Sequence, residues 1–182
     1  MYAYTQFQFT HEFYSVKMNN QMIIWHYTTS ERLVPILSTG ELKTTDMGVT
    51  PGEKPILWFS SNQVYERTAY RLKDNGESFS IREHIENFGG FVRFGIGIPL
   101  NAGLEIFPWE GGKLADEARI PPDERTRLEK TAKPQGANPN EWYGTLKNVP
   151  VSSCAAIQIL NINEYNKTIG IEWMDICETI KC

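Results

Sequence analysis

The sequence predicts one mixed α+β domain, and three observations predict it. The chain has 182 residues, the size of a single domain. Its hydrophobic fraction of 41% is enough for a sizeable core. Four short apolar runs, at 21–27, 56–59, 91–98 and 155–162, have the length of buried strands, and charged stretches with helix-start residues lie between them.

The elements follow in order. Residues 1–21 space Tyr2, Tyr4, Phe7 and Phe9 around Thr5 and Gln6, which predicts an edge strand or arm on the body, with a partner-binding arm as the other reading. Met1, Met18 and Met22 are each possible translation starts. Residues 21–27 (QMIIWHY) read as a buried strand. Thr28 or Thr29 then caps a helix with Glu31 in its first turn, Leu33, Ile36 and Leu37 on one face, and Gly40 as its stop. Leu42 begins an extended piece, and 44–55 is a loop punctuated by Gly48, Pro51, Gly52 and Pro55.

Residues 56–59 (ILWF) predict a second buried strand, Ser60, Ser61 and Asn62 a cap, and 63–72 a helix. A turn at 73–77 leads to a helix over 79–88 that Gly89 and Gly90 end. Residues 91–98 (FVRFGIGI) form a strand whose GxG is no dinucleotide fingerprint, because no helix follows. Residues 101–112 read as irregular, with Trp109 on a loop covering the site. Pro121 and Pro122 start a charged helix over 119–133, and 133–140 is a loop. The end of the chain reads as strands at 141–145, 155–162 and 169–180, with a turn at 149–150.

Composition narrows the function classes. Eighteen basic against 22 acidic residues leave a net charge of −4, which argues against a general nucleic-acid binder. No run of about 18 apolar residues predicts a membrane span. The N-terminus lacks the order of a secretory signal. Cys154, Cys177 and Cys182 have no metal-type spacing and read as reduced thiols of a cytoplasmic protein. His11, His26 and His84 are far apart, so no metal is expected. P-loop, HExxH and GxSxG signatures are absent from the sequence.

Three segments stand out as sites of chemistry: WHYTTS at 25–30, LWFSS at 57–61 and NEWYGT at 140–145, each joining a strand to a cap or loop. Their order resembles the ADP-ribosyltransferase superfamily. The likeness is to the branch with DNA-targeting ADP-ribosyltransferase toxins and tRNA 2′-phosphotransferases, and it spans about residues 22–162. The resemblance implies a split, bent β-sandwich with flanking helices that grips NAD in its cleft, so that 22–182 form one such domain.

It also implies site residues. His26 matches the histidine that bonds the ribose hydroxyls of NAD, with Tyr27 and Thr28 beside it on the nucleotide. Ser60 matches the position supporting the nicotinamide pocket. Glu141 matches the acid that orients the ribose 2′-hydroxyl and stabilises the oxocarbenium-like centre as nicotinamide leaves. Tyr65 and Tyr70 fall where toxin-like relatives stack nicotinamide. Arg67 and Arg71, four apart on the expected helix, and Arg93 are candidates for the pyrophosphate.

The implied activity is an NAD-dependent, toxin-like transferase that moves ADP-ribose to a protein or nucleic acid and releases nicotinamide. A non-catalytic nucleotide- or protein-binding module on the same fold and an NAD-dependent RNA 2′-phosphotransferase are the other two readings. The enzyme reading expects Glu141 to face His26 across a cleft.

Overall fold

The structure is a computed structural model that describes residues 21–46, 49–71, 73, 77–98, 104–165 and 168–176, the 161–171 portion by its backbone. The aromatic arm lies outside the described residues up to residue 20, as do Cys177 and Cys182.

Two strands make the spine. β1, Met22–Thr29, and β4, Phe91–Ile98, pair antiparallel from Met22 opposite Ile98 to Thr29 opposite Phe91. Alternation along both places Ile24, Val92, Phe94 and Ile96 on one face, fully buried. Trp25 lies on the other face opposite Gly95, where a Cβ would stand 2.6 Å from the Trp25 ring carbon Cζ3. Gly95 leaves room for that indole.

The remaining strands are β2, Glu41–Leu42; β3, Leu57–Ser60; β5, Phe107–Pro108; β6, Trp142–Thr145; β7, Val149–Pro150; β8, Ala156–Tyr165; and β9, Thr168–Asp175. Seven form one antiparallel sheet in the order β5-β6-β3-β1-β4-β8-β9, and β2 pairs with β7 separately. β8 continues the spine on β4, and β9 closes that edge. On the other side β3 meets β1 at a single register pair, Trp25 opposite Ser60. β3 then pairs with β6 from Leu57–Thr145 to Ser60–Trp142.

The helices cap both faces. α1, Leu33–Thr39, lays Leu33 and Ile36 on the core of Ile24, Leu57, Phe59 and Phe94, and Gly40 at φ 70° ends it. Leu37 and Val34 stay exposed. α2, Ile81–Phe88, begins with a reciprocal cap: the Ser80 hydroxyl accepts from the Glu83 amide while Glu83 accepts from the Ser80 amide. α3, Lys113–Ala118, and α4, Pro122–Ala132, build a second core with Ile56, Trp109 and Trp142.

The strands at 21–27, 56–59, 91–98 and 155–162 are present within a residue or three of their expected bounds. Four expectations fail. Of the helix expected over 63–72, Leu72 lies outside the described residues, and 63–71 are not a helix: they hold one 3-10 turn, Arg67–Ala69. The Asn62 side chain takes the amides of Val64 and Tyr65, and the Glu66 carboxylate takes that of Thr68, so local turns displace helix bonds. Arg67 and Arg71 therefore share no helix face. The turn at 149–150 is instead β7, since Leu42 pairs with Val149. Trp109 is buried rather than on a covering loop: it is 1% exposed, its ring packs against Trp58 and Trp142, and its indole donates to Glu129 on α4. Thr29 holds the cap position after β1, but its side chain makes no cap bond and donates to Glu31 instead.

Candidate functional site

The short β1–β3 ladder opens a space. Beyond Trp25 and Ser60 the two strands are no longer in register, and a cavity of about 720 Å³ lies there. Its walls include Trp25, Trp58, Trp142, Tyr27 and Tyr70, with Leu128 and Ala132 of α4 closing one side. Lys43 and Arg127 supply its cations. Arg127 is held by the Glu124 carboxylate one turn earlier, its Nε donating at 2.7 Å.

His26 leaves β1 toward β3. Its Nδ1 lies 2.9 Å from the Trp58 carbonyl, and its ring meets Phe59 edge-on at 5.8 Å. A carbonyl only accepts, so Nδ1 carries the proton and Nε2 remains an acceptor. Burial pushes the imidazole below its ordinary pKa, against a smaller upward pull from that carbonyl, which keeps the ring neutral at pH 7.

The acid in this cavity is Glu66, 6% exposed. Ser60 Oγ donates to its Oε2 at 2.7 Å, and Thr68 gives Oε1 both its amide at 3.0 Å and its hydroxyl at 2.6 Å. Ser60 Oγ in turn accepts from the Asn62 amide at 3.1 Å. The seam thus holds a neutral imidazole from β1 and, following β3, a carboxylate fixed by three donors. Such a set can bind a diol, and it can stabilise positive charge developing on a substrate carbon.

The residues singled out from the sequence divide. His26, Tyr27 and Ser60 line the cavity, as does Tyr70. Thr28, Tyr65, Arg67, Arg71 and Glu141 are not among its lining residues. Tyr65 is buried behind Tyr70, ring centroids 5.3 Å apart, and burial raises the pKa of its phenol. Arg71 pairs with Glu31 at 3.1 Å and lies over the Phe88 ring. Arg93 is buried between the indoles of Trp25 and Trp173, at 4.0 and 4.1 Å, and is not among the residues that line the cavity.

Glu141 stands just before β6, its carboxylate accepting from Asn62 Nδ2 at 2.9 Å and Asn138 Nδ2 at 3.3 Å. β3 runs between β6 and β1, so Glu141 and His26 come from strands that are not neighbours. Its observed role is to hold Asn62, whose carboxamide closes the turn before Glu66.

Sequence reasoning missed Glu66 and Thr68. The available signal was slight: a glutamate six residues after the Ser60 strand end and two before a threonine. The expected helix hid it, since a charged residue between Tyr65 and Arg67 reads there as solvated. Among the described residues no cluster of three or more His, Cys, Asp or Glu could hold a metal ion, and no helix is long and apolar enough to cross a membrane. Compared with protein-family models, curated proteins and solved structures, the chain gives no match.

Proposed function

We propose that this chain is an NAD-dependent ADP-ribosyltransferase, with the cavity between β1 and β3 as the NAD site and Glu66 as its working acid. The observation behind this reading is that one aromatic cavity is lined by both a histidine held through Nδ1 by the Trp58 carbonyl and a buried glutamate fixed by three donors. The break in the β1–β3 ladder supports a split sheet of the kind that grips a dinucleotide.

In this reading His26 accepts from a ribose hydroxyl through Nε2. Trp58, Trp142 and Tyr70 offer ring faces to nicotinamide or adenine, and Lys43 and Arg127 meet the pyrophosphate. Glu66 acts as the glycosidic bond breaks. Nicotinamide departs with the bond electrons, C1′ gains positive character, and a fixed anion favours that state over bound NAD. The acceptor's lone pair then forms the new bond to C1′, and its proton passes to solvent. A protein or nucleic-acid acceptor replaces water in the transfer.

Nicotinamide release from NAD by the purified protein, with cell lysate as a source of acceptor, tests this. Glu66→Gln should lower release by about 10²–10³-fold with the fold intact. Glu141→Gln should change it much less, and His26→Ala should raise KM for NAD. Absence of release from the wild type overturns the enzyme reading.

One observation favours a second reading, a nucleotide-binding module without turnover: Glu66 is already engaged by three donors, as a purely structural carboxylate would be. NAD binding in a titration with no release would select it.

A further inference from the structure

Glu66 ends a segment that is held from outside. Three consecutive carbonyls, those of Asn62, Gln63 and Val64, are each taken by a side chain from a different strand. Tyr27 of β1 donates its phenol to Asn62 O at 3.3 Å. Arg93 of β4 donates Nη1 to Gln63 O at 2.8 Å. Trp173 of β9 donates its indole N–H to Val64 O at 2.7 Å.

The three donors brace one another. The Arg93 guanidinium is sandwiched between Trp25 and Trp173, and its Nε donates to Gln158 of β8 at 2.7 Å. The ring of Tyr27 meets Trp173 edge-on at 5.8 Å. Burying a guanidinium costs free energy, and the two ring faces and two acceptors offset that cost. Gln63 adds its own side-chain bonds to Trp25 and to the Ile23 carbonyl. A surface turn needs no such bracing, since water would satisfy its carbonyls. The residue that benefits is the acid two positions past Val64.

We infer that Arg93 and Trp173 are positioning residues for Glu66, so that the edge strand β9 sets the geometry of a site in which it has no part. The inference rests on Glu66 being the working acid. It assigns to a stacked arginine–tryptophan pair the task of holding one backbone segment in a single arrangement. A displacement of about 1 Å at a catalytic group costs as much as a hundredfold in rate, so rigid support has a kinetic consequence.

Trp173→Phe tests it, because phenylalanine keeps a ring beside Arg93 and removes only the N–H donor. Two readouts are taken: nicotinamide release as kcat and KM, and amide hydrogen exchange of the protein without ligand. The expected result is a kcat lowered by about tenfold to a hundredfold with KM for NAD unchanged. Exchange should quicken about fivefold to tenfold at residues 64–68, with β1 and β4 unaltered. Arg93→Lys should loosen the same segment, since lysine keeps the charge but loses the planar stack. Unchanged exchange at 64–68 in Trp173→Phe overturns the inference, as does a loss spread evenly over the whole sheet. A wild type that releases no nicotinamide overturns the enzyme reading instead, and the exchange result then decides the positioning claim alone.

Discussion

The two halves of the sheet are held together differently. On one side β1 and β4 stay in register from Met22 to Thr29, and β8 and β9 extend that surface. On the other, β3 and β6 pair over four residues and β5 adds only two. A single register pair joins the halves. Where backbone pairing stops, side chains take over: His26 reaches the Trp58 carbonyl, and Ser60 reaches Glu66. A long ladder satisfies its own amides and leaves nothing to bind with. An interrupted one exposes groups that a ligand can use.

Filling a glycine in each half breaks the comparison with the largest effect. Gly144 of β6 faces the second core, where an added Cβ would stand 2.6 Å from Ile56 Cγ2 and 2.9 Å from Leu114 Cδ2. Gly144→Ala should cost about 1–3 kcal/mol by overpacking. Gly95→Ala should cost about as much and in addition push Trp25 from the Arg93 stack, so it should slow nicotinamide release further than Gly144→Ala, whose clash falls on Ile56 at the cavity wall. Urea midpoints and turnover measured together check this. Equal turnover in the two variants would show that the stack does not matter.

A smaller effect sharpens the comparison on the β4 side. His84 of α2 is fully buried, stacks on Phe91 at 3.9 Å, and accepts the Arg71 amide through Nε2 at 3.3 Å. Burial, with the Arg71 charge beside it, pushes its pKa down to about 4. The unfolded chain takes up that proton near 6.5 while the native protein refuses it. This contribution is therefore complete above pH 6.5 and is lost as pH falls toward 4. Unfolding midpoints should drop across that window in the wild type and less in His84→Phe. Equal slopes would mean that His84 titrates freely.

The smallest effect is local. Ser80→Ala removes half of the reciprocal cap on α2 and should cost about 1 kcal/mol, read by the same unfolding curves, without changing nicotinamide release.

What the sequence disclosed follows the range of the forces involved. Apolar runs marked β1, β3, β4 and β8, because burial of a strand demands apolar residues in a row. Gly40 and Gly89 marked helix ends, because a left-handed stop is a local requirement, whereas the Ser80–Glu83 cap on α2 was passed over. The segment after β3 was misread because its conformation is set from afar: Asn62 is anchored by Glu141, and its carbonyl and the next two are held by other strands. No periodicity encodes that. His26 and Ser60 were legible because each lies in an apolar strand, His26 within β1 and Ser60 at the end of β3, next to a recognisable motif. Glu66 was not, since its burial depends on the same distant anchors. Helix α3 was passed over because six residues after a glycine pair give too little pattern to read.

The anchors have a consequence in time. Asn62 and Glu141 are 79 residues apart along the chain, Glu41 and Asn148 are 107 apart, and Val64 and Trp173 are 109 apart. Contacts this distant form late, after the entropy of closing long loops has been overcome. During synthesis the first half emerges with β1 and β3 but without Trp142, α4 or Trp173. A nascent chain thus has its histidine and its carboxylate and no cavity in which to use them. The cavity walls are complete only once α4 and Trp142 have joined β1 and β3, so on the proposed reading a copy cut before them should release no nicotinamide.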